Sequence, residues 1–261
     1  MNYIHISNFN LAFATVLILV TLLVSLKERL GLEKDLLIGA VRTFVQLTLV
    51  GYILQFIFDT RRWYWMILAL AIMITVAGWN ALKRQKVRWR RLFWILTTGI
   101  TFGGVLILAI VIGFVLRVRP WYLPQYIIPL AGMIIGNSMV GAALAANRLS
   151  TDIQGHRREI ELALSLGATA RQAVNPYLRD ALKTAMMPTI SSMMTVGIVQ
   201  LPGMMTGQII AGTNPNSAVR YQVVVMYMIA AATAITVMTV ALWLYRCYFT
   251  TSHQLLEGPE K

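Results

Sequence analysis

The chain has 261 residues, 57% of them hydrophobic and only 13% charged, with a net charge of +13. A soluble domain of this size could not hide so much apolar surface, so lipid is the expected solvent for most of it. The basic excess does not mark a nucleic-acid binder, because the cations sit at the ends of apolar runs, where membrane topology places them.

About 20 apolar residues cross a hydrocarbon core roughly 30 Å thick. By that measure the sequence predicts spans at residues 10–26, 36–58, 63–82, 93–116, 126–147, 188–212 and 219–245. The expected fold is an all-α polytopic membrane protein of about seven transmembrane helices in a single permease-sized domain. The first run has no basic residue before it and is followed by "KERLGLEKD" rather than a small-residue cleavage site. It therefore predicts a retained helix, not a signal peptide.

The second span carries Arg42 about two turns in, with Gln46 one turn deeper on the same face. An arginine at the centre of a span costs about 2.5–3.5 kcal/mol on insertion scales. Arg42 either snorkels or pairs structurally, or it serves an anionic substrate or carboxyl-bearing chelate. The fifth span is thin, with Gly132, Gly136 and Gly141 beside several alanines, which lets helices approach closely. Asn137 and Ser138 lie mid-span and face a partner helix or a pathway.

The sixth span contains "GIVQLPGMMTGQIIAG", residues 197–212. Pro202 lacks an N–H and clashes with the carbonyl four residues back, and Gly203 and Gly207 loosen the same turn. Freed carbonyls at membrane depth must be buried or line a watery cavity. The segment is expected to be a broken or a re-entrant helix. Gln200, Pro202, Gly203, Met204, Met205 and Gln208 are candidate gate residues, together with Arg42, Gln46, Asn137 and Ser138. Tryptophans 63, 65, 89, 94, 121 and 243 suit interfacial anchoring.

Lysines and arginines fix the orientation. With the N-terminus outside, the inner segments hold seventeen of them and the outer loops five, Arg42 lying within a span. That split follows the positive-inside rule and puts the C-terminus in the cytoplasm. No metal site is expected. All ten acids and three histidines fall outside the spans. The 14 methionines favour soft metals but also fill gaps between helices. The single cysteine, Cys247, excludes an intramolecular disulfide.

The longest polar segment, 148–187, is predicted to be cytoplasmic and contains "EIELALSLGATARQA", residues 159–173. Glu159 and Glu161 suit a helix N-terminal turn, and Leu162 and Leu166 form an i, i+4 pair. Gly167 can end the helix in the left-handed conformation, and Thr169 can cap the next one. The result is a sharp elbow with exposed leucines. It either lies on the bilayer surface or docks into a groove of a soluble partner.

Glu161, Leu162, Ala163, Gly167 and Ala168 resemble the "EAA…G" loop of ATP-binding-cassette permeases, where a coupling helix fits a cleft on the ATPase subunit. After the glycine the importer pattern is missing, and Tyr177-Leu178-Arg179-Asp180 stands in its place. The segments "LEKDLLIGAVRTFVQLTLVGYIL" (32–54), "PLAGMIIGNSMVGAAL" (129–144), "LSLGAT" (164–169) and "VQLPGMMTGQIIAGTNPNSAVRYQ" (199–222) resemble the FetB-type permease family over nearly the whole chain. That family comprises bacterial iron exporters related to plant aluminium-tolerance permeases. The resemblance implies an inner-membrane permease half, paired with a separate ATPase of the FetA type, and coupling roles for Glu159, Glu161, Leu162, Leu166, Gly167 and Ala168.

The sequence has no G-x-x-x-x-G-K-[ST] loop and no Gly-Lys pair, so nothing here can cradle phosphates. ATP and magnesium are expected in the partner and no cofactor in this chain. One seven-span subunit is a small wall for a pathway, so a homodimer is expected. Two other readings stay open: an ion-driven carrier, disfavoured by the lack of an intramembrane carboxylate or histidine, and an ATPase-coupled scaffold. The Pro-Gly break favours transport.

Overall fold

The computed structural model describes residues 8–60, 62–85, 89–250, 252 and 254–256. Helices dominate: α1 (Asn8–Lys27), α2 (Glu33–Thr60), α3 (Trp63–Lys83), α4 (Arg90–Ile110, continued by a π turn Val111–Val115), α5 (Pro124–Gly155), α6 (Arg157–Ser165), α7 (Ala170–Thr195), α8 (Gly203–Ile210) and α9 (Pro215–Arg246). No strand is present among the described residues; two isolated bridges occur, Val196 with Gln200 and Phe249 with Leu255. Helices are the expected answer to lipid, because they satisfy their backbone groups internally.

The helices fall into two compact units, Met1–Arg62 and Trp63–Lys261. In the first unit α1 packs on α2 through a turn in which Arg29 and Gly31 take positive φ. Ser25 Oγ donates to Glu33 Oε1 across that turn at 2.8 Å. In the second unit α5 and α9 form the centre, with α3, α4 and α7 packed around them. Leu96, Ile100, Ala142, Leu149, Val240 and Leu244 fill the core there.

Among the described residues, five helices are long and apolar enough to cross a membrane: α2, α3, α4 with its π turn, α5 and α9. In α1 the apolar stretch Thr15–Lys27 is shorter. The predicted segments differ most around residues 148–212. α5 runs on through Gly155, eight residues past its expected end, because "RLSTDIQG" continues the helix and Arg148 bonds Asp152 one turn on at 2.8 Å. The expected span 188–212 is not one helix. α7 begins at Ala170 and carries Pro176 and Pro188 inside it. Its first turns, with Arg171, Arg179, Asp180 and Lys183, are polar, so its apolar part begins only after Lys183.

α7 then stops at Thr195, and seven residues of irregular backbone precede α8. The depth of that break follows from one contact level. A Cβ on Gly141 of α5 would meet Thr233 Cγ2 at 2.8 Å, Val237 Cγ2 at 2.9 Å and Ala185 O at 3.8 Å. From Ala185, α7 runs ten more residues, about 15 Å; from Thr233, α9 runs eighteen residues back to its start, about 27 Å. α7 thus ends about 12 Å short of the start of α9, and the eight residues of α8 span about that distance. α8 packs on α9 across a four-residue turn, as an antiparallel hairpin requires. Residues 188–212 are thus two helical pieces joined by irregular backbone, which lies level with the first half of α9.

Candidate functional site

The elbow is built from α6 and the start of α7. α6 ends on Gly167, whose φ of +92° is the left-handed conformation. Ala168 N donates to Ala163 O at 3.1 Å and Gly167 N to Leu164 O at 3.0 Å. This pair of bonds is a Schellman ending, which satisfies carbonyls that the last turn leaves open. A Cβ on Gly167 would meet nothing within 4 Å, so the glycine is required by the backbone and not by crowding. Thr169 then opens α7 with a reciprocal capping box. Its N–H donates to Gln172 Oε1 at 2.8 Å, and Gln172 N donates to Thr169 Oγ1 at 3.4 Å.

The two faces of α6 differ sharply. Ile160 is buried, and Ala163 and Leu164 pack against the core beneath it. Leu162 is 62% exposed and Leu166 81% exposed. Of the expected coupling residues, Leu162, Leu166 and Gly167 lie on the open surface. The two acids are engaged within the chain. Arg157 Nε donates to Glu161 Oε1 at 2.7 Å. The Tyr177 hydroxyl donates to Glu159 Oε2 at 2.6 Å. Burial, and then that carboxylate, push the Tyr177 phenol up to about 12, so it stays protonated and remains a donor.

Other contacts brace the elbow from below, and sequence reasoning did not find them. The His156 ring stacks on Tyr177, with centroids 4.7 Å apart. Arg157 Nη1 donates to Leu256 O at 3.1 Å, tying the elbow to the segment after α9. That segment folds back on itself: Leu256 N donates to Tyr248 O and Thr250 N to Gln254 O, both at 2.9 Å. Arg171 lies 5.4 Å over the Tyr245 ring, joining the start of α7 to the end of α9. The bonding partners are far apart in sequence, so no local pattern announces them.

The broken span is the second candidate region. Thr195 O accepts from Val199 N at 2.9 Å, and Gly197, at φ +84°, donates its N–H to Gln200 O at 2.9 Å. Gln200 turns back onto α7, its Nε2 donating to Ser192 Oγ at 3.1 Å and Thr195 Oγ1 at 3.2 Å. Pro202 is not a kink in a continuous helix. It is the residue before α8, extended at φ −62° and ψ 143°, and its carbonyl accepts from Thr206 N at 3.0 Å. Gly203 and Gly207 face open space, Met204 and Met205 are half-buried, and Gln208 Oε1 is buried without a partner. Ile198, Val199 and Leu201 are exposed.

The other expected pathway residues are scattered. Asn137 donates to Met133 O of its own helix at 2.8 Å and is exposed, whereas its neighbour Ser138 is fully buried and has no partner. Arg42 and Gln46 lie exposed on α2, in the first unit. Among the described residues no three His, Cys, Asp or Glu side chains converge as a metal would need.

Comparison with known proteins gives the chain its relatives. It is 38% identical to "Probable iron export permease protein FetB" of Escherichia coli (strain K12), over 98% of this chain and 97% of that protein. It is 37% identical to "UPF0014 membrane protein YjkA" of Bacillus subtilis, covering 95% and 98% of the two chains. Identity to "Protein ALUMINUM SENSITIVE 3" of Arabidopsis thaliana is 35%, over 94% of this chain and 88% of the plant protein. No solved structure matches. Residues 8–249 match the pattern described as "Uncharacterised protein family (UPF0014)", and the chain is a polytopic membrane protein belonging to that family.

Proposed function

We propose that this chain is the permease subunit of an ATP-driven exporter of iron or another metal species, powered by a separate ATPase subunit that grips the elbow. The observation that carries the reading is the surface of α6. Arg157 and Glu161 pair within the chain, Glu159 accepts from Tyr177, and two exposed leucines stand on a doubly capped turn. Such a surface gains most by entering an apolar cleft of another protein. The lack of a phosphate-loop motif in this sequence supports a reading in which ATP and magnesium belong to that partner. The name of the Escherichia coli relative supports iron as cargo and export as direction. The broken span, with irregular backbone at membrane depth, supports a pathway or gate along α7, α8 and α9. The working form is a homodimer in a bacterial inner membrane, N-terminus outside and C-terminus cytoplasmic.

The test is reconstitution in vesicles with the ATPase subunit, following ATP-dependent movement of iron and other metals. Movement that requires both chains and ATP is the expected result. ATP turnover by this chain alone, or metal movement indifferent to ATP, would overturn the reading.

A further inference from the structure

The interior of the second unit holds hydroxyls that depart from the habit of their helices. Thr75, Thr98, Thr101 and Thr239 each donate to the carbonyl one turn back, between 2.5 and 2.8 Å. A helical threonine in lipid satisfies its proton that way. Thr97 and Thr236, with Thr233 and Ser138, do not: their oxygens are buried and have no partner. An unmade buried hydrogen bond is expensive, and each one in a native protein calls for a reason.

Thr97, Thr233 and Thr236 each lie beside a glycine of a neighbouring helix. A Cβ on Gly103 of α4 would stand 2.9 Å from Ala232 O and 3.0 Å from Thr236 N of α9. On Gly141 of α5 it would stand 2.8 Å from Thr233 Cγ2, and on Gly78 of α3 it would strike Thr97 Oγ1. Ser138 lies one turn before Gly141, on the same side of α5. α9 thus runs against α4 and α5, and α3 against α4, through seams in which a glycine faces a threonine. At Gly78 and Gly103 the space beside the hydroxyl does not admit even a methyl group, whereas Gly141 faces the methyl of Thr233.

We propose that α9 shears along α4 and α5 in this protein's working cycle, and that the Thr233 and Thr236 hydroxyls gain partners in the sheared arrangement. The hydroxyls then set the balance between two conformations, of which this structure is the one that leaves them unbonded. Glycine seams suit such motion, because they present a smooth backbone surface with no interlocking side chain to unseat. The inference rests on the transporter reading only for its expectation of a second conformation.

The experiment needs neither ATPase nor cargo. The full chain, with Cys247→Ser, is placed in lipid nanodiscs and spin-labelled at Phe102→Cys on α4 and Tyr227→Cys on α9, both exposed positions. Pulsed electron resonance reads the separation. Two separations are expected in the otherwise native chain. Thr233→Val and Thr236→Val keep the side-chain shape and remove the hydroxyl. Each should shift the ratio roughly tenfold toward the separation in this structure, without lowering Tm. Thr236→Ser, which keeps the hydroxyl, should restore the second separation. A single separation in every sample, or a ratio untouched by the valines, overturns the proposal. So does a fall in Tm in the valine variants, which would show the hydroxyls already bonded. A negative vesicle experiment alongside two hydroxyl-dependent separations would instead count against the ATPase-driven reading alone.

Discussion

Leu166→Asp is the sharpest probe of the elbow, because the structure separates its effect on folding from its effect on docking. Leu166 is 81% exposed and follows the last helical residue of α6. A polar side chain there gives up almost no contact within the chain, so Tm should move by less than the scatter of a surface substitution, about 0.5 kcal/mol. Docking is another matter. Full burial of a leucine is worth about 1.5–3 kcal/mol, and scaling by the exposed fraction leaves about 1.2–2.4 kcal/mol for the partner to gain. Losing that gain weakens Kd roughly ten- to fiftyfold, before adding the penalty for an aspartate carboxylate pressed into an apolar cleft. The assay is titration of purified ATPase subunit onto the permease in nanodiscs, with tryptophan fluorescence following Tm. An unchanged Kd would refute the docking surface. A large fall in Tm would refute the claim that Leu166 is free of the fold.

Three further outcomes are expected. Gly103→Ala forces a methyl against Ala232 O and Thr236 N of α9, and this overpacking should destabilise by about 1–3 kcal/mol, whereas Gly136→Ala, over open space, should not; thermal unfolding decides. Thr169→Ala removes the cap of α7 and should lower stability by about 1 kcal/mol, with amide exchange rising first in residues 170–173. The Tyr177 phenol is raised from 10.0 to about 12, so the folded state holds its proton more tightly than the unfolded chain. Its contribution is therefore complete below pH 10 and is lost as pH rises through about 12. Unfolding of the native chain and of Tyr177→Phe should run in parallel below that window and converge within it.

The elbow was legible because its signals are local. Gly167 and Thr169 sit where a left-handed stop and a cap are needed, and both conformations are present. Glu159 and Glu161 fit a helix start, but their partners, Tyr177 and Arg157, decide that they serve the chain's own rigidity. Tyr177 is eighteen residues away, beyond the reach of any periodicity. The sixth span was misplaced because its charged first turns resemble a loop in composition. Ala170 to Lys183 is helical since it packs on α5 and α9, which hydropathy does not register. Pro202 was expected to interrupt the span; in the structure it precedes α8, and the break comprises the seven residues from Val196, with the turn at Gly197 and the Gln200 side chain within it. The seams could have been found: Gly99 and Gly103 form a G-x-x-x-G step in "GITFG", a helix-packing signature. Their partner, Ala232-x-x-x-Thr236 on α9, is recognisable only once the two helices are known to touch.

The elbow and the seams belong to one mechanical path. Leu162 and Leu166 stand on α6, which is bonded to α7 through Glu159 and Tyr177 and to the segment after α9 through Arg157 and Leu256. The start of α7 grips the end of α9 through Arg171 and Tyr245, and the two helices meet again beside Gly141. A displacement of the leucines therefore enters α9 from both of its neighbours at its C-terminal end. Arg157 bonds α6 to the segment after α9 through Leu256 O. Arg157→Gln removes that tie and leaves Leu162, Leu166 and the Gly167 turn in place. Affinity for the ATPase should stay within about fivefold, since exposed ion pairs such as Arg157–Glu161 contribute about 0–1 kcal/mol. The change in the Phe102–Tyr227 separation when the ATPase and nucleotide are added should shrink. A variant that docks normally and still moves α9 by the full native amount would show that force travels through α7 alone.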